Sequence, residues 1–435
     1  MEASELTPPS FNQAFRFWLK LGFISFGGPA GQIAIMQTEL VDRRRWVSPG
    51  QFLHALNYCM LLPGPEAQQL AIYLGWLFHR IPGGIVAGVL FVLPSVFILW
   101  GLSYVYVAFG SLPWVAAIFY GLKPAITAIV LVALIRIGGR ALRSNVAWSV
   151  ATLAFISTYF FHLPFPLIII GAGALGFAYG TFRPGVLNTG HGHAAVTGSG
   201  LVLPSQQERQ IRGWRGHVPL IAAWVALWFA PTVLAGAWKG WQSTLCQEGI
   251  FFSKAAVVTF GGAYAVLPYV AQEALHHGWL GPGQMVDGLG LAETTPGPLI
   301  MVLQFVGFLA AWQHPEGLPP LLAATLGAAI TTWSTFTPCF LWIFLGAPYI
   351  QRLHGHARLT AALTAITAAI VGVILNLAVW FATHVYFPRT GQIDWFAITL
   401  SAMALFGLLR WKWNVIPVVI ASGVSGVIYQ ILRGP

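Results

Sequence analysis

Long apolar stretches alternate with short polar junctions along most of the chain, and several of those stretches are cut in the middle by glycine and proline. The sharpest cut is Leu61-Leu62-Pro63-Gly64-Pro65-Glu66-Ala67-Gln68-Gln69. Pro65 has no amide hydrogen and disfavours helical backbone at Gly64. A helix arriving from Gln51 is therefore predicted to stop near Leu62, and a second to start at Pro65. Phe11 to Phe26 and Ala30 to Val41 flank a similar cut at Gly27-Gly28-Pro29. Uncut runs follow at Pro82 to Ala108 and Pro113 to Ile137. A short hairpin comes next, Val146 to Phe161 and Phe165 to Gly180, joined at His162-Leu163-Pro164. Residues 182–217 are the one long polar stretch, rich in Gly, Gln, Arg and His, and Val218 to Trp238 is one further apolar span.

The pattern then returns. Lys254 precedes Phe260-Gly261-Gly262 as Lys20 precedes Phe26-Gly27-Gly28, and Glu273 follows as Glu39 does. Trp279, Pro282, Gly283 and Gln284 match Trp46, Pro49, Gly50 and Gln51, and Pro296-Gly297-Pro298 matches Pro63-Gly64-Pro65. Leu93-Pro94-Ser95 is echoed by Thr337-Pro338-Cys339, and Ala125-Ile126-Thr127-Ala128 by Ala365-Ile366-Thr367-Ala368. A repeat this long, with glycine and proline in register, signals duplication. The boundaries it predicts are a first membrane repeat at 1–181, a polar cytoplasmic linker at 182–217, a connecting helix at 218–244 and a second repeat at 245–435.

Composition turns this pattern into a membrane protein. Of 435 residues 57% are hydrophobic and 8% charged, where a soluble chain carries about 25% charged. The net charge of +10 is spread over the loops, so it reads as topology information and excludes a nucleic-acid footprint. Met1 to Ser10 is polar and acidic, without the features of a cleavable signal. Arg43, Arg44, Arg45 and Arg80 crowd the first repeat's cuts, whereas residues 239–316 hold no Arg, two Lys and five acids (Glu248, Glu273, Asp287, Glu293, Glu316). The loop Gly110-Ser111-Leu112 is uncharged, and its counterpart carries Arg352, His354, His356 and Arg358. Positive charge favours the cytoplasmic side, so equivalent loops belong on opposite faces. The predicted fold is an all-α polytopic membrane protein of two inverted-topology repeats. It has four broken, re-entrant helix pairs and nine spans, with the N-terminus cytoplasmic.

Helix ends brought together inside a membrane expose unpaired amides and a partial positive charge, which is an anion site. The candidate substrate-binding residues are Lys20, Gly27, Gly28, Gln32, Pro63, Gly64, Pro65, Gln68, Gln69, Lys254, Gly261, Gly262, Thr294, Thr295, Pro296, Gly297 and Pro298. This donor-rich set suits a deprotonated tetrahedral oxyanion. One such cut alone reads as a packing kink; four at equivalent places favour a substrate site. Lys20 and Lys254 have two readings, as anion ligands or as lysines snorkelling to an interface. Glu66 likewise reads as a helix cap or as a protonatable carboxylate that couples a proton to the anion. Glu39 and Glu273 read as structural partners of Arg43 and His277. His191 and His193 read as solvated linker, and Trp100, Trp114, Trp148, Trp224 and Trp380 as interfacial belt or packing. Cys59, Cys246 and Cys339 show no metal-ligand spacing, so neither metal nor cofactor is predicted. No zinc-protease, Asp-x-x-Asp or phosphate-loop motif occurs, so no catalytic residues are assigned and the chain is not read as an enzyme.

These motifs resemble the chromate transporter family in its long, two-domain form. The matching stretches are Phe26 to Ala34, Phe52 to Ala71, Phe260 to Pro268 and Thr295 to Leu299, and the likeness covers nearly the whole chain outside 182–217. Ala263 stands where the family pattern has a third glycine. The resemblance implies export of chromate across a bacterial inner membrane, with sulfate as the chemically similar competitor. The residues alone reach only an anion transporter, with a sulfate or related oxyanion carrier as the nearest rival and an anion channel or a membrane-embedded enzyme as further ones. They leave the oligomeric state open, a homodimer included.

Overall fold

The computed structural model describes residues 8–182, 218–281, 283–346, 357–388 and 392–433. The polar stretch 183–217 with His191 and His193, and Pro282, Arg352, His354 and His356, lie outside the described residues. Among the described residues the elements are helices joined by turns and short connecting segments. In the first repeat the helices are α1 (Phe11–Ile24), α2 (Gly28–Gln37), α3 (Pro49–Cys59), α4 (Glu66–Phe109), α5 (Pro113–Ala141), α6 (Asn145–Tyr159) and α7 (Phe165–Phe182). The connecting helix is α8 (Val218–Lys239). The second repeat has α9 (Thr244–Val258), α10 (Ala263–His276), α11 (Gln284–Thr294), α12 (Val302–Gln313), α13 (Pro320–Gly346), α14 (Ala357–Tyr386), α15 (Trp395–Arg410) and α16 (Val415–Arg433).

The cuts fall where the sequence puts them. Ser10 and Ser48 open α1 and α3 through capping boxes with Gln13 and Gln51. The helix α3 ends at Cys59, a few residues before the expected Leu62, because Leu61 and Leu62 bond back to Tyr58 and Cys59 as a turn. The helix α4 loses helical backbone at His79 (φ −137°) and Arg80 (φ 58°), so a half-helix precedes the long run that begins near Pro82. In the second repeat the same junction is an open loop between α12 and α13.

Among the described residues, seven helices are long and apolar enough to cross a membrane: α4, α5, α7, α8, α13, α14 and α16. The expected nine counted both members of each C-terminal hairpin. The shorter members of these hairpins, α6 with 15 residues and α15 with 16, are apolar but below the length of the other seven.

The two repeats are interlocked. The hairpin α6–α7 packs on α14 of the second repeat, and the hairpin α15–α16 packs on α5 of the first. Small residues let the backbones touch. A Cβ at Gly372 of α14 would lie 2.1 Å from the Ala151 carbonyl oxygen, and one at Gly121 of α5 would lie 2.2 Å from that of Ser422. Nearer the centre α1 packs on α4 and α9 on α13, and α4 lies against both α12 and α13. Gln304 donates to the Val96 carbonyl at 2.8 Å and Trp100 to Thr325 Oγ1 at 3.0 Å, so polar bonds join the same layers.

Candidate substrate site at the paired helix breaks

The four breaks lie between α1 and α2, α3 and α4, α9 and α10, and α11 and α12. Two backbone hydrogen bonds tie them crosswise. Gly64 N–H donates to the Thr259 carbonyl at 2.7 Å, and Gly297 N–H donates to the Ser25 carbonyl at 2.7 Å. Gly64 is the repeat equivalent of Gly297, and Ser25 of Thr259. Each repeat's second break is thus bonded to the other repeat's first break, and the two bonds reciprocate. Side-chain packing follows the same rule. A Cβ on Gly64 would lie 2.9 Å from Cys339 Sγ, and one on Gly297 would lie 2.5 Å from Ser95 Oγ. Cys339 and Ser95 are equivalents as well. With φ of +120° at Gly64 and +105° at Gly297, the backbone also sits where L side chains are strained.

Gln32, Gln68 and Gln69 are all buried at the breaks. Gln32 Nε2 donates to the Gly297 carbonyl at 2.5 Å and to that of Ser25 at 3.4 Å, which clamps the crosswise junction. Gln69 Nε2 donates to the Pro63 carbonyl at 2.6 Å and holds the turn of its own break. The Oε1 atoms of Gln32, Gln68 and Gln69, and Ser25 Oγ, are buried without a protein partner. Unpaired buried acceptors of this kind call for a donor, such as water, and not for an anion. The first-turn amides of α4, at Glu66 to Gln68, have no intrahelical acceptor and face the same break. Thr294 and Thr295 spend their hydroxyl protons on the Leu291 carbonyl, at 2.9 and 2.7 Å, leaving only their oxygens as acceptors.

The breaks bring together Gly27, Gly28, Gln32, Pro63, Gly64, Pro65, Gln68, Gln69, Gly261, Gly262 and Thr294 to Pro298. Lys20 and Lys254 stand apart from this cluster, on the exposed faces of their helices. The buried stripe of α1 is Ala14, Phe17, Trp18 and Leu21, and position 20 falls off that stripe. Lys20 instead acts on Glu39. Burial works against that carboxylate, but Arg43, Lys20 and Arg44 together hold it below its ordinary pKa. Glu39 pairs with Arg43 at 2.7 Å and Arg44 at 3.4 Å, and Glu273 with His277 at 3.7 Å, the structural roles expected of both acids. Glu66 is half-buried at the first position of α4.

Sequence reasoning missed Glu293, which is buried directly before the fourth break and accepts a hydrogen bond from Tyr264 OH. An acid in an apolar half-helix next to Thr294-Thr295-Pro296 was the available signal. Metal-type ligands gather elsewhere. Glu273, His276 and His277 bring three ligand atoms within 4.8 Å of one another, at the end of α10 far from its break.

The long apolar helices, and half-helices whose ends meet in a buried polar junction, define a multi-pass membrane protein built from repeated helical domains. The sequence profile described as chromate transporter matches residues 12–177 and 247–427, so the chain belongs to the chromate transporter family. It is similar to a chromate transport protein of Pseudomonas aeruginosa, 32% identical over 97% of this chain and 94% of that one. It is also similar to one of Cupriavidus metallidurans, 28% identical over 98% and 96%. An uncharacterized transporter of Bacillus subtilis, YwrA, is 29% identical over 29% of this chain and 70% of its own length. No solved structure matches.

Proposed function

We propose that the chain exports chromate, a tetrahedral oxyanion, across the bacterial inner membrane by alternating access of two inverted repeats. The observation that carries this reading is the reciprocal bonding of the breaks through Gly64–Thr259 and Gly297–Ser25. It gathers helix ends from both repeats at one buried junction, where an anion gains from unpaired amides. The names of the full-length relatives supply chromate as the substrate. Lys20 and Lys254 add positive potential from the exposed faces of α1 and α9. Of the two carboxylates at the breaks, Glu66 and Glu293, Glu66 at the start of α4 is the one assigned to couple a proton. The potential alone drives a dianion outward: about 100 mV, inside negative, contributes about 2.3 kcal/mol per charge. For two charges that sustains a gradient on the order of a thousandfold.

The test is chromate uptake into inverted membrane vesicles, with sulfate in parallel, under a clamped potential and with or without a pH gradient. Chromate accumulation that follows the potential is the expected result. Accumulation that follows the pH gradient and is lost in Glu66→Gln makes the carrier a proton antiporter. Faster sulfate than chromate reassigns the substrate within the same mechanism. Movement of neither anion by well-inserted protein overturns the reading.

A further inference from the structure

A cavity of about 460 Å³ opens between α4, α5, α11 and α12, lined in part by Tyr106, Ser111, Lys123, Gln284, Asp287 and Trp312. Its wall carries an ion pair between distant parts of the chain: Lys123 Nζ lies 3.5 Å from Asp287 Oδ2. Tyr106 OH donates to the same oxygen at 3.0 Å. Asp287 Oδ1 is buried and has no protein partner. The lysine side chain is 31% exposed while the carboxylate is 5% exposed, so the cation opens towards the cavity and the acid lies behind it.

The charged neighbours of Asp287 are few. The helix α5 contributes Lys123 and α4 contributes Tyr106. The turn Leu299–Met301 and α12 have no titratable residue. On α16, Tyr429 is stacked against Tyr120 and Phe396, and Arg433 lies over Tyr429. The lysine and the carboxylate therefore balance each other, and the balance changes if either is neutralised.

We propose that this cavity is a second oxyanion site, on the exit path, where Lys123 binds the anion once Asp287 has taken a proton on Oδ1. This inference rests on the oxyanion reading above. With Asp287 ionised, Lys123 is occupied internally and the cavity gives a dianion no net charge. A proton arriving on Oδ1 leaves Oδ2 still accepting from Tyr106 and frees one positive charge in a partly desolvated space. The uncharged loop at Ser111 and the arginine-free segment 239–316 both line this end, so by the positive-inside bias the proton comes from the outer aqueous phase. Asp287 thereby acts as a resident competitor that lowers the apparent affinity by the fraction of time it holds the lysine.

Ser111 is exposed at the cavity and the native cysteines Cys59, Cys246 and Cys339 are buried, so Ser111→Cys gives a reporter in the full-length purified protein. Its rate of modification by a methanethiosulfonate reagent is read with and without sulfate, at constant ionic strength, at pH 6 and pH 8. Sulfate protection is expected to be tighter at pH 6, by on the order of tenfold. Adding Asp287→Asn makes it tight at both values, and adding Lys123→Gln abolishes it. The Ser111→Cys protein is also assayed for transport in vesicles. Transport with no protection, or with protection indifferent to both Asp287→Asn and Lys123→Gln, overturns this inference and leaves the oxyanion reading standing. Absence of transport by inserted protein overturns both.

Discussion

The two repeats share a backbone and differ in what they hang on it. After the second break the first repeat reads Glu66-Ala67-Gln68-Gln69, and the second reads Leu299-Ile300-Met301-Val302. Gln32 on α2 has Val266 as its equivalent. Before the break the order reverses: Met60-Leu61-Leu62 stands against Glu293-Thr294-Thr295, and Ala30 against Tyr264. Burial differs too, since Gly27 is exposed and Leu61 to Pro63 are half-buried, whereas Thr295 to Ile300 are buried throughout. The two-fold relation is a property of the broken helices. The polar chemistry is asymmetric, with amide side chains and Glu66 from one repeat and Glu293, a tyrosine and two threonines from the other. A ligand at the junction meets different surroundings from each repeat.

The largest way to break this comparison is to fill the glycines. A methyl at Gly297 would meet both Oγ and Cβ of Ser95, at 2.5 and 2.8 Å, and Ser95 is anchored on the Val92 carbonyl. At Gly64 the obstacles are the ends of side chains, Cys339 Sγ and Gln69 Nε2, both at 2.9 Å. Left-handed backbone costs a non-glycine residue about 1–2 kcal/mol and overpacking adds about 1–3 kcal/mol. Gly297→Ala is expected to lower the melting midpoint of the detergent-solubilised protein more than Gly64→Ala does. Ser95→Gly is expected to recover only the packing part of the Gly297→Ala loss. Equal losses at the two glycines would mean that the repeats are interchangeable at this contact.

A second test sharpens the division of polar labour. Gln68→Leu removes a buried amide at the break, and a hydrogen bond from its Nε2 to a charged ligand is worth about 1.5–3 kcal/mol. Oxyanion flux in vesicles should therefore fall by about tenfold or more. Met301→Leu, at the equivalent position, should change it by less than about twofold, as expected of a volume-conserving swap.

The smallest expected effect lies at the rim. Glu39 bonds to arginines at a site where Arg43 is 68% exposed, so Glu39→Gln should cost no more than about 1 kcal/mol. The folded-state pKa of Glu39 is lowered. Its contribution is then present at neutral pH, is fully expressed above the unfolded-state value, and fades as pH falls through the folded one. Melting midpoints of native and variant protein should converge on acidification.

The breaks themselves were legible, because proline and glycine at Pro63 to Pro65, Gly27 to Pro29, Pro296 to Pro298 and Gly261-Gly262 act through local backbone rules. The repeat was legible from the same punctuation. Which break bonds to which was not, since Gly64 and Thr259 are joined only by the packing of the two repeats. Lys123 and Asp287 were hidden for the same reason: each looks like a lone charge in an apolar run, and only the tertiary fold pairs them.

The exchange of C-terminal hairpins has a consequence for how the protein is made. Chain synthesis delivers α5, α6 and α7 to the membrane long before α14, α15 and α16 exist, yet α6 and α7 find their main packing surface on α14, and α5 is covered by α15 and α16. The leading repeat therefore waits, inserted but uncovered, until the trailing one emerges from the ribosome. Truncation within α14 leaves α6 and α7 without much of their packing surface and α5 without its cover of α15 and α16.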